Sequence, residues 1–206
     1  LAPNVISTAG FVLNVIPHIL LFSLYGWEME GEIGSAFLVF TGTIYIVYHF
    51  CDNLDGKQAR RTLSSSPLGM LLDHGIDCFT SVLNNMILQR VCQVGNNMYP
   101  LVFCSVSMMP FYFATLEQYY TGELIMPMIN GVDEGSICYF FTCIVSAIYG
   151  CRAVFCYQIN ENLTGTDVAA YGTTILILLC TAINIKNILL KSHLPCFKAV
   201  YSAPHF

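Results

Sequence analysis

Four aspartates lie between positions 52 and 77 of an otherwise apolar chain, and they are the residues best suited to chemistry. They are Asp52, Asp55, Asp73 and Asp77. A carboxylate inside a membrane-length apolar segment costs roughly 2.5–3.5 kcal/mol at the centre of a helix, so such residues mark function. Carboxylate oxygens are hard ligands that suit Mg²⁺, Mn²⁺ or Ca²⁺ better than zinc. The aspartates therefore predict a site for a divalent cation.

The spacing places these aspartates on two helical stripes together with small residues. The first stripe follows i, i+3, i+4, i+7 and i+8 and comprises Asp52, Asp55, Gly56, Ala59 and Arg60. The second follows i, i+4 and i+8 and comprises Gly69, Asp73 and Asp77. If the two helices pack side by side, the carboxylates converge and the small residues let a ligand approach closely. An acidic loop between two solvated helix ends is the alternative, but it would not need glycines on the same stripes.

The rest of the chain has the composition of a membrane protein. Hydrophobic residues make up 55% of the 206 residues and charged residues 10%, against about 25% charged in ordinary soluble domains. Six apolar stretches are long enough to cross ~30 Å of hydrocarbon as helices, and they run approximately over residues 5–25, 33–51, 68–92, 99–116, 136–158 and 168–190. The third is the weakest by hydropathy because it carries the second aspartate stripe. We expect an all-α, polytopic membrane protein with six transmembrane helices, folded as a single domain over residues 1–206.

The basic residues predict the orientation of these helices. If the loop at 52–67 faces the cytosol, six alternating spans place both termini there as well. Most basic residues then lie on the cytosolic side, namely Lys57, Arg60, Arg61, Lys186, Lys191 and Lys198. Arg90 and Arg152 lie opposite, so the arrangement satisfies the positive-inside rule. No basic patch indicates a nucleic-acid partner.

The motif region resembles a known family. Residues 52–77 match all fixed positions of the pattern D-x-x-D-G-x-x-A-R-x8-G-x3-D-x3-D, which resembles the signature of the CDP-alcohol phosphotransferases. The string GKQARRTLSSSPLG at 56–69 is similar to the eukaryotic choline and ethanolamine phosphotransferases in particular. The opening LAPNVIST and the block at 119–135 are similar to the same subfamily, so the likeness extends from residue 1 to about 150.

The resemblance implies an activity, a set of partners and a location. It implies transfer of phosphocholine or phosphoethanolamine from CDP-choline or CDP-ethanolamine to diacylglycerol, with release of CMP, in the endoplasmic reticulum or Golgi membrane. The active site would face the cytosol and use Mg²⁺ or Mn²⁺, with two ions expected, and a homodimer is compatible with it. The C-terminal helices of the family's longer members are expected to be absent here.

The same resemblance implies roles for individual residues. The four aspartates would be metal ligands, and Asp77 would also be the base that deprotonates diacylglycerol, with His74 as the other candidate base. The substrate contacts would come from Asn4, Gly56, Ala59, Arg60, Gly69 and Glu117. Asn4 could instead cap the first helix, which is the role we expect for it. Glu117 precedes two tyrosines, and a carboxylate beside aromatic faces suits a choline or ethanolamine ammonium.

Two positions depart from the subfamily pattern. Met70 follows Gly69 where a glutamate is usual, and Thr115-Leu116 precede Glu117 where a His-Trp pair is common. A non-catalytic membrane scaffold derived from this family is therefore the second hypothesis. A transporter with intramembrane acidic sites is a third, but it does not explain the spacing of the glycines and the arginine.

Overall fold

The computed structural model describes residues 2–96, 98–121, 133–161 and 163–191, and helices dominate these ranges. The helices are α1 (Pro3–Tyr25), α2 (Ser35–Arg61), α3 (Pro67–Val91), α4 (Tyr99–Ser107), α5 (Met109–Thr121), α6 (Asp133–Tyr149), α7 (Cys151–Phe155) and α8 (Gly165–Lys191). A short antiparallel hairpin pairs β1 (Gln158–Asn160) with β2 (Leu163–Thr164). The predicted all-α membrane class is confirmed, apart from this hairpin. Lys198 and most of the block at 119–135 lie outside the described residues.

Four helical segments in the described ranges are long and apolar enough to cross a membrane. They are Pro3–Tyr25, Ser35–Arg61, Tyr99–Tyr120 and Gly165–Leu190. The helix α3 has 25 residues, but its two aspartates and Arg90 lower its hydropathy. The apolar segment Gly135–Tyr149 of α6 is shorter than a usual span. The expected count of six spans is therefore not confirmed.

Two predicted spans differ from the helices that form. The segment 99–116 is interrupted, because α4 ends at Ser107 and α5 begins at Met109. Pro110 explains the break, since proline has no N–H to donate to the preceding turn. The segment 136–158 ends early, because Gly150 takes a positive φ of 87° that stops α6, and a short helix and the hairpin follow.

The helices that carry the aspartates pack closely with their neighbours. Helix α1 contacts α2 and α3, α2 also contacts α6, and α5 contacts α8. Glycines allow the close approach: a Cβ at Gly42 would lie 3.1 Å from Cys143 Cβ on α6, and one at Gly10 only 2.9 Å from Cys51 Cβ on α2. The buried core between these helices includes Leu38 and Ile87.

Arg90 closes the end of this bundle that lies away from the aspartates. Its guanidinium donates hydrogen bonds to the carbonyl oxygens of Tyr25 (2.9 Å), Gly26 (3.1 Å) and Glu28 (2.6 Å). The last carbonyls of a helix have no partner within the helix, so Arg90 satisfies the end of α1 and ties it to the end of α3. The beginning of α1, the end of α2 and the beginning of α3 consequently lie together at the opposite end.

Candidate functional site

Three of the four predicted aspartates form a compact group at this opposite end. Asp52 and Asp55 lie in the last turns of α2, and Asp73 lies in the second turn of α3. One carboxylate oxygen from each lies within 4.8 Å of the others. The start of α3 is fixed locally, because Pro67 occupies its first turn and the Ser66 side chain accepts a hydrogen bond of 3.0 Å from the N–H of Gly69. The sequence thus folds so that the two stripes face each other.

Asp77 lies beside this group rather than within it. Its neighbour Asp52 is within hydrogen-bonding reach of both Asp77 and Asp73. The hydroxyl of Tyr48 donates a hydrogen bond of 2.7 Å to Asp77 Oδ1. One oxygen of Asp77 is therefore held by the Tyr48 phenol, and Asp77 lies next to Asp52, a member of the group of three.

Two residues that support the aspartates were missed in the sequence. Ser7 of α1 donates a hydrogen bond to Asp55, and both side chains are buried. Tyr48 of α2 is likewise buried and holds Asp77. Signals existed for both: Ser7 lies in the opening LAPNVIST, and Tyr48 precedes Asp52 by four residues, which places it on the same helical stripe.

A cleft of about 430 Å³ opens beside the carboxylates. Five of the six predicted substrate-binding residues line it, namely Asn4, Gly56, Ala59, Arg60 and Gly69. Asp55 and Asp73 line it as well, together with the hydroxyl-bearing residues 64–66 of the turn between α2 and α3. Met70, the position that departs from the subfamily pattern, also lines this cleft.

The small residues leave room that larger ones would occupy. A Cβ at Gly56 would lie 3.5 Å from Arg60 Nη1, so the guanidinium lies over this glycine. A Cβ at Gly69 would lie 3.2 Å from Ser66 Oγ and 3.4 Å from Asn4 Oδ1. Asn4 is therefore a wall residue of the cleft. The expectation that Asn4 caps α1 is wrong, because the chain enters the helix at Ala2 and Pro3 and the cap residue is Ala2.

This geometry can be compared with known proteins. A family model described as CDP-alcohol phosphatidyltransferase matches residues 1–198. The chain belongs to this family. The resemblance found in the motif region is thereby confirmed, and it covers nearly the whole sequence.

Individual members of the CDP-alcohol phosphatidyltransferase family show how far the similarity extends. Choline/ethanolaminephosphotransferase 1 of Arabidopsis thaliana is 38% identical over 149 residues, covering 70% of this chain and 38% of the relative. Cholinephosphotransferase 1 of Danio rerio is 35% identical over 150 residues, covering 72% of this chain and 39% of the relative. CDP-diacylglycerol--serine O-phosphatidyltransferase of Encephalitozoon cuniculi is 28% identical over 216 residues, covering 98% of this chain and 55% of the relative. The chain spans less than half the length of the first two relatives.

Two predicted site residues lie away from the cleft. The His74 ring packs edge-on against Phe111 of α5, with ring centroids 6.0 Å apart. Glu117 is 1% exposed at the contact between α5 and α8, where its Oε1 accepts a hydrogen bond of 2.9 Å from Asn187 Nδ2. Neither residue is among those that line the cleft. A headgroup role for Glu117 and a base role for His74 stay predictions.

The three grouped carboxylates fit a divalent cation. Metal–oxygen distances of about 2.0–2.6 Å place two ligand oxygens on opposite sides of a magnesium or calcium ion about 4–5 Å apart. The observed limit of 4.8 Å among the three oxygens agrees with that spacing. All three donors are hard oxygens, and α2 and α3 hold them from two sides. Asp52, Asp55 and Asp73 are thus able to bind one such ion.

Proposed function

We propose that this protein transfers phosphocholine or phosphoethanolamine from the CDP-alcohol to diacylglycerol, forming phosphatidylcholine or phosphatidylethanolamine and CMP. One observation carries the proposal: a single cleft holds Asp55 and Asp73 together with Arg60 and three small residues. A diphosphate bound to a metal needs this combination of acidic ligands, a guanidinium and room for close approach. The names of the plant and fish relatives support the choice of donor and acceptor.

The cleft residues bind the CDP part of the donor. Arg60 directs its planar donors to the phosphates, because a guanidinium matches phosphate oxygens with two parallel hydrogen bonds. Gly56, Ala59 and Gly69 let the nucleotide lie against the helices without a steric clash. Asn4 supplies an amide at the wall formed with Gly69. Glu117 lies outside this cleft, and we assign it to the ammonium of the headgroup because a carboxylate beside aromatic residues suits a cation.

In this proposal the aspartates would hold two Mg²⁺ or Mn²⁺ ions. Asp52, Asp55 and Asp73 would hold one ion, and Asp77 with its neighbour Asp52 would hold the other. Ions bound there would supply positive charge for the diphosphate and the CMP leaving group. The grouping of three oxygens within 4.8 Å supports the first ion. The contact between Asp52 and Asp77 supports the second.

Asp77 is the base for the acceptor. It takes the proton of the diacylglycerol hydroxyl while the hydroxyl oxygen bonds to the phosphorus that carries the choline or ethanolamine. The bond from that phosphorus to the CMP oxygen breaks, and CMP leaves with the electron pair. Asp77 does not line the nucleotide cleft, which suits a base that meets an alcohol arriving from the bilayer. His74 packs against Phe111 instead, and we therefore prefer Asp77.

The membrane arrangement completes the proposal. We infer six transmembrane helices, with α3 and α6 crossing alongside the four apolar segments, in the endoplasmic reticulum or Golgi membrane. The site faces the cytosol, where the soluble nucleotide enters, and diacylglycerol arrives laterally. A homodimer and a single domain over residues 1–206 are part of the same proposal.

A radiolabel assay tests the function. The purified chain in detergent is incubated with diacylglycerol, Mg²⁺ or Mn²⁺, and labelled CDP-choline or CDP-ethanolamine, and labelled phospholipid with stoichiometric CMP is expected. A parallel reaction contains CDP-diacylglycerol and labelled serine, because one relative carries that name. Product in that reaction alone would replace the proposed substrates. A folded protein that gives no product in any reaction would favour the non-catalytic scaffold, for which Met70 is the supporting feature.

A further inference from the structure

Asp77 has a direct contact that the proposed reaction does not explain. This contact is the hydrogen bond that it accepts from Tyr48. Its hydroxyl donates to Asp77 Oδ1 at 2.7 Å, and the residue is 5% exposed. A hydrogen bond to an ionised carboxylate is stronger than one between neutral groups. The contact joins α2 to α3 one turn before Asp52. One of the two oxygens of Asp77 is therefore committed to the phenol.

Tyr48 has little freedom to turn away from Asp77. Its ring lies nearly parallel to the ring of Tyr45, at an angle of 9° with centroids 6.3 Å apart. Tyr45 in turn packs edge-on against Tyr139 of α6, with centroids 4.6 Å apart. On the other side, α1 approaches so closely that a Cβ at Gly10 would lie 3.4 Å from Tyr48 Cδ2. Three helices thus confine the phenol, and the hydrogen bond fixes the orientation of the carboxylate.

The orientation matters because Asp77 has two tasks in the proposed reaction. It shares a cation with Asp52, which lies within hydrogen-bonding reach, and it receives the proton of the acceptor alcohol. With Oδ1 bound to Tyr48, the carboxylate is held in one orientation for both tasks. A catalytic group must be held close to its productive geometry for the reaction to profit from it.

We propose that Tyr48 is a positioning residue that fixes the orientation of the Asp77 carboxylate at the reaction site. The inference rests on the proposed function. Tyr48 acts through Asp77 and does not contact the nucleotide cleft. Removal of its hydroxyl is therefore expected to slow the chemical step and to leave donor binding unchanged.

The test compares Tyr48→Phe with Tyr45→Phe. Both variants lose one phenol oxygen from the same helix, and the Tyr45 hydroxyl accepts its hydrogen bond from Ser136 of α6. Thermal unfolding in detergent establishes that both variants fold. Electron paramagnetic resonance of free Mn²⁺ establishes the concentration that saturates each variant, and steady-state kinetics with the full chain at that concentration then give kcat and KM for the CDP-alcohol.

We expect Tyr48→Phe to lower kcat by about 10–100-fold, the range found for residues that orient metal ligands, with an unchanged KM for the CDP-alcohol. Tyr45→Phe should retain the wild-type kcat. An unchanged kcat in Tyr48→Phe, an equal loss in both variants, or failure of Tyr48→Phe to fold would each overturn the inference. Wild-type protein that forms no labelled lipid would contradict the proposed function itself and be recognised before any variant is compared.

Discussion

The four aspartates share a residue type but not an environment. Asp55 is buried and accepts a hydrogen bond from Ser7, whereas Asp77 accepts one from Tyr48. Asp73 is half-buried and lines the cleft, and Asp52 contacts both aspartates of α3. The four carboxylates therefore differ in their neighbours, a difference that the motif pattern alone does not show.

The first prediction concerns the cation ligands. Asp52→Asn and Asp73→Asn are each expected to lower divalent-cation-dependent turnover by at least about 100-fold, because an amide loses the charge that holds the cation. Asp167→Asn serves as the control, since Asp167 bonds to Thr164 at the start of α8, away from the cleft. Release of labelled lipid measures the effect. Full turnover in either cleft variant would contradict the assigned metal site.

The second prediction concerns Arg60, which lies over Gly56 in the cleft. Arg60→Lys keeps the charge but loses the planar pair of donors, so kcat/KM for the CDP-alcohol should fall by about 10-fold or more, as for loss of one charged hydrogen bond. Arg61→Lys is the matched control, because Arg61 is exposed and does not line the cleft. An equal change in kcat/KM in the two variants would indicate that Arg60 only contributes to the orientation of the protein in the membrane.

At the scale of elements, three helices build the site and each contributes from one end. Helix α2 brings Asp52 and Asp55, α3 brings Asp73 and Asp77, and α1 supplies the walls and the partner of Asp55. The close approach of α1 to α2 at Gly10 makes this arrangement possible. A substitution that separates α1 from α2 there should therefore displace residues of the site.

The third prediction tests this packing with two glycines in helices. A methyl at Gly10 would lie 2.9 Å from Cys51 Cβ, an atom that moves only with its backbone, whereas nothing lies within 4 Å of a methyl at Gly75. Gly10→Ala should destabilise the protein by about 1–3 kcal/mol through overpacking. Gly75→Ala should be neutral or stabilising, because alanine favours helix by up to about 1 kcal/mol. Thermal unfolding in detergent measures the two effects. Equal melting temperatures of Gly10→Ala and Gly75→Ala would contradict the close contact at Gly10.

The sequence predicts the elements of this site better than their mutual contacts. The stripes of α2 and α3 are predictable because helical periodicity fixes which residues share a face. The support from Ser7 and Tyr48 depends on how three helices cross, and periodicity contains no information about crossing. Pro110 is a local signal for the break between α4 and α5, but the hydropathy that predicts the span 99–116 does not register it. The role of Asn4 was predicted wrongly for a different reason. Asparagine is common at helix caps and also at ligand sites, so its residue type does not distinguish the two.

At the scale of the whole molecule, the two ends of the bundle differ in chemistry. One end holds the carboxylates, Arg60 and the serines of the turn between α2 and α3. At the other end, Arg90 donates to one backbone carbonyl of the last residue of α1 and to two of the turn that follows, and Gln93 binds Gly31. Glu32 also accepts a hydrogen bond from the N–H of Arg152 there. The side chain of Arg90 at the second end is thus engaged in the fold, whereas the side chain of Arg152 and those of Lys57, Arg60 and Arg61 at the first end are exposed.

This asymmetry predicts the orientation in the membrane. Lys57, Arg60 and Arg61 precede the turn between α2 and α3, and exposed basic residues beside a span are retained in the cytosol. Arg90 contributes little to orientation because it is buried at the end of α3. The cleft should therefore open to the cytosol, where a charged nucleotide can enter without crossing the bilayer.

The last prediction places one cysteine at each end of the bundle, in a background that lacks the ten native cysteines. Ser65 and Glu30 are both exposed and lie at the cleft end and the Arg90 end, respectively. A membrane-impermeant thiol reagent added to sealed microsomes with their cytosolic face outward should label Ser65→Cys, and should label Glu30→Cys only after the membrane is permeabilised. The two variants control for each other, because both sites are reactive once the barrier is removed. The reverse pattern would place the cleft in the lumen, where a cytosolic nucleotide donor could not reach Arg60.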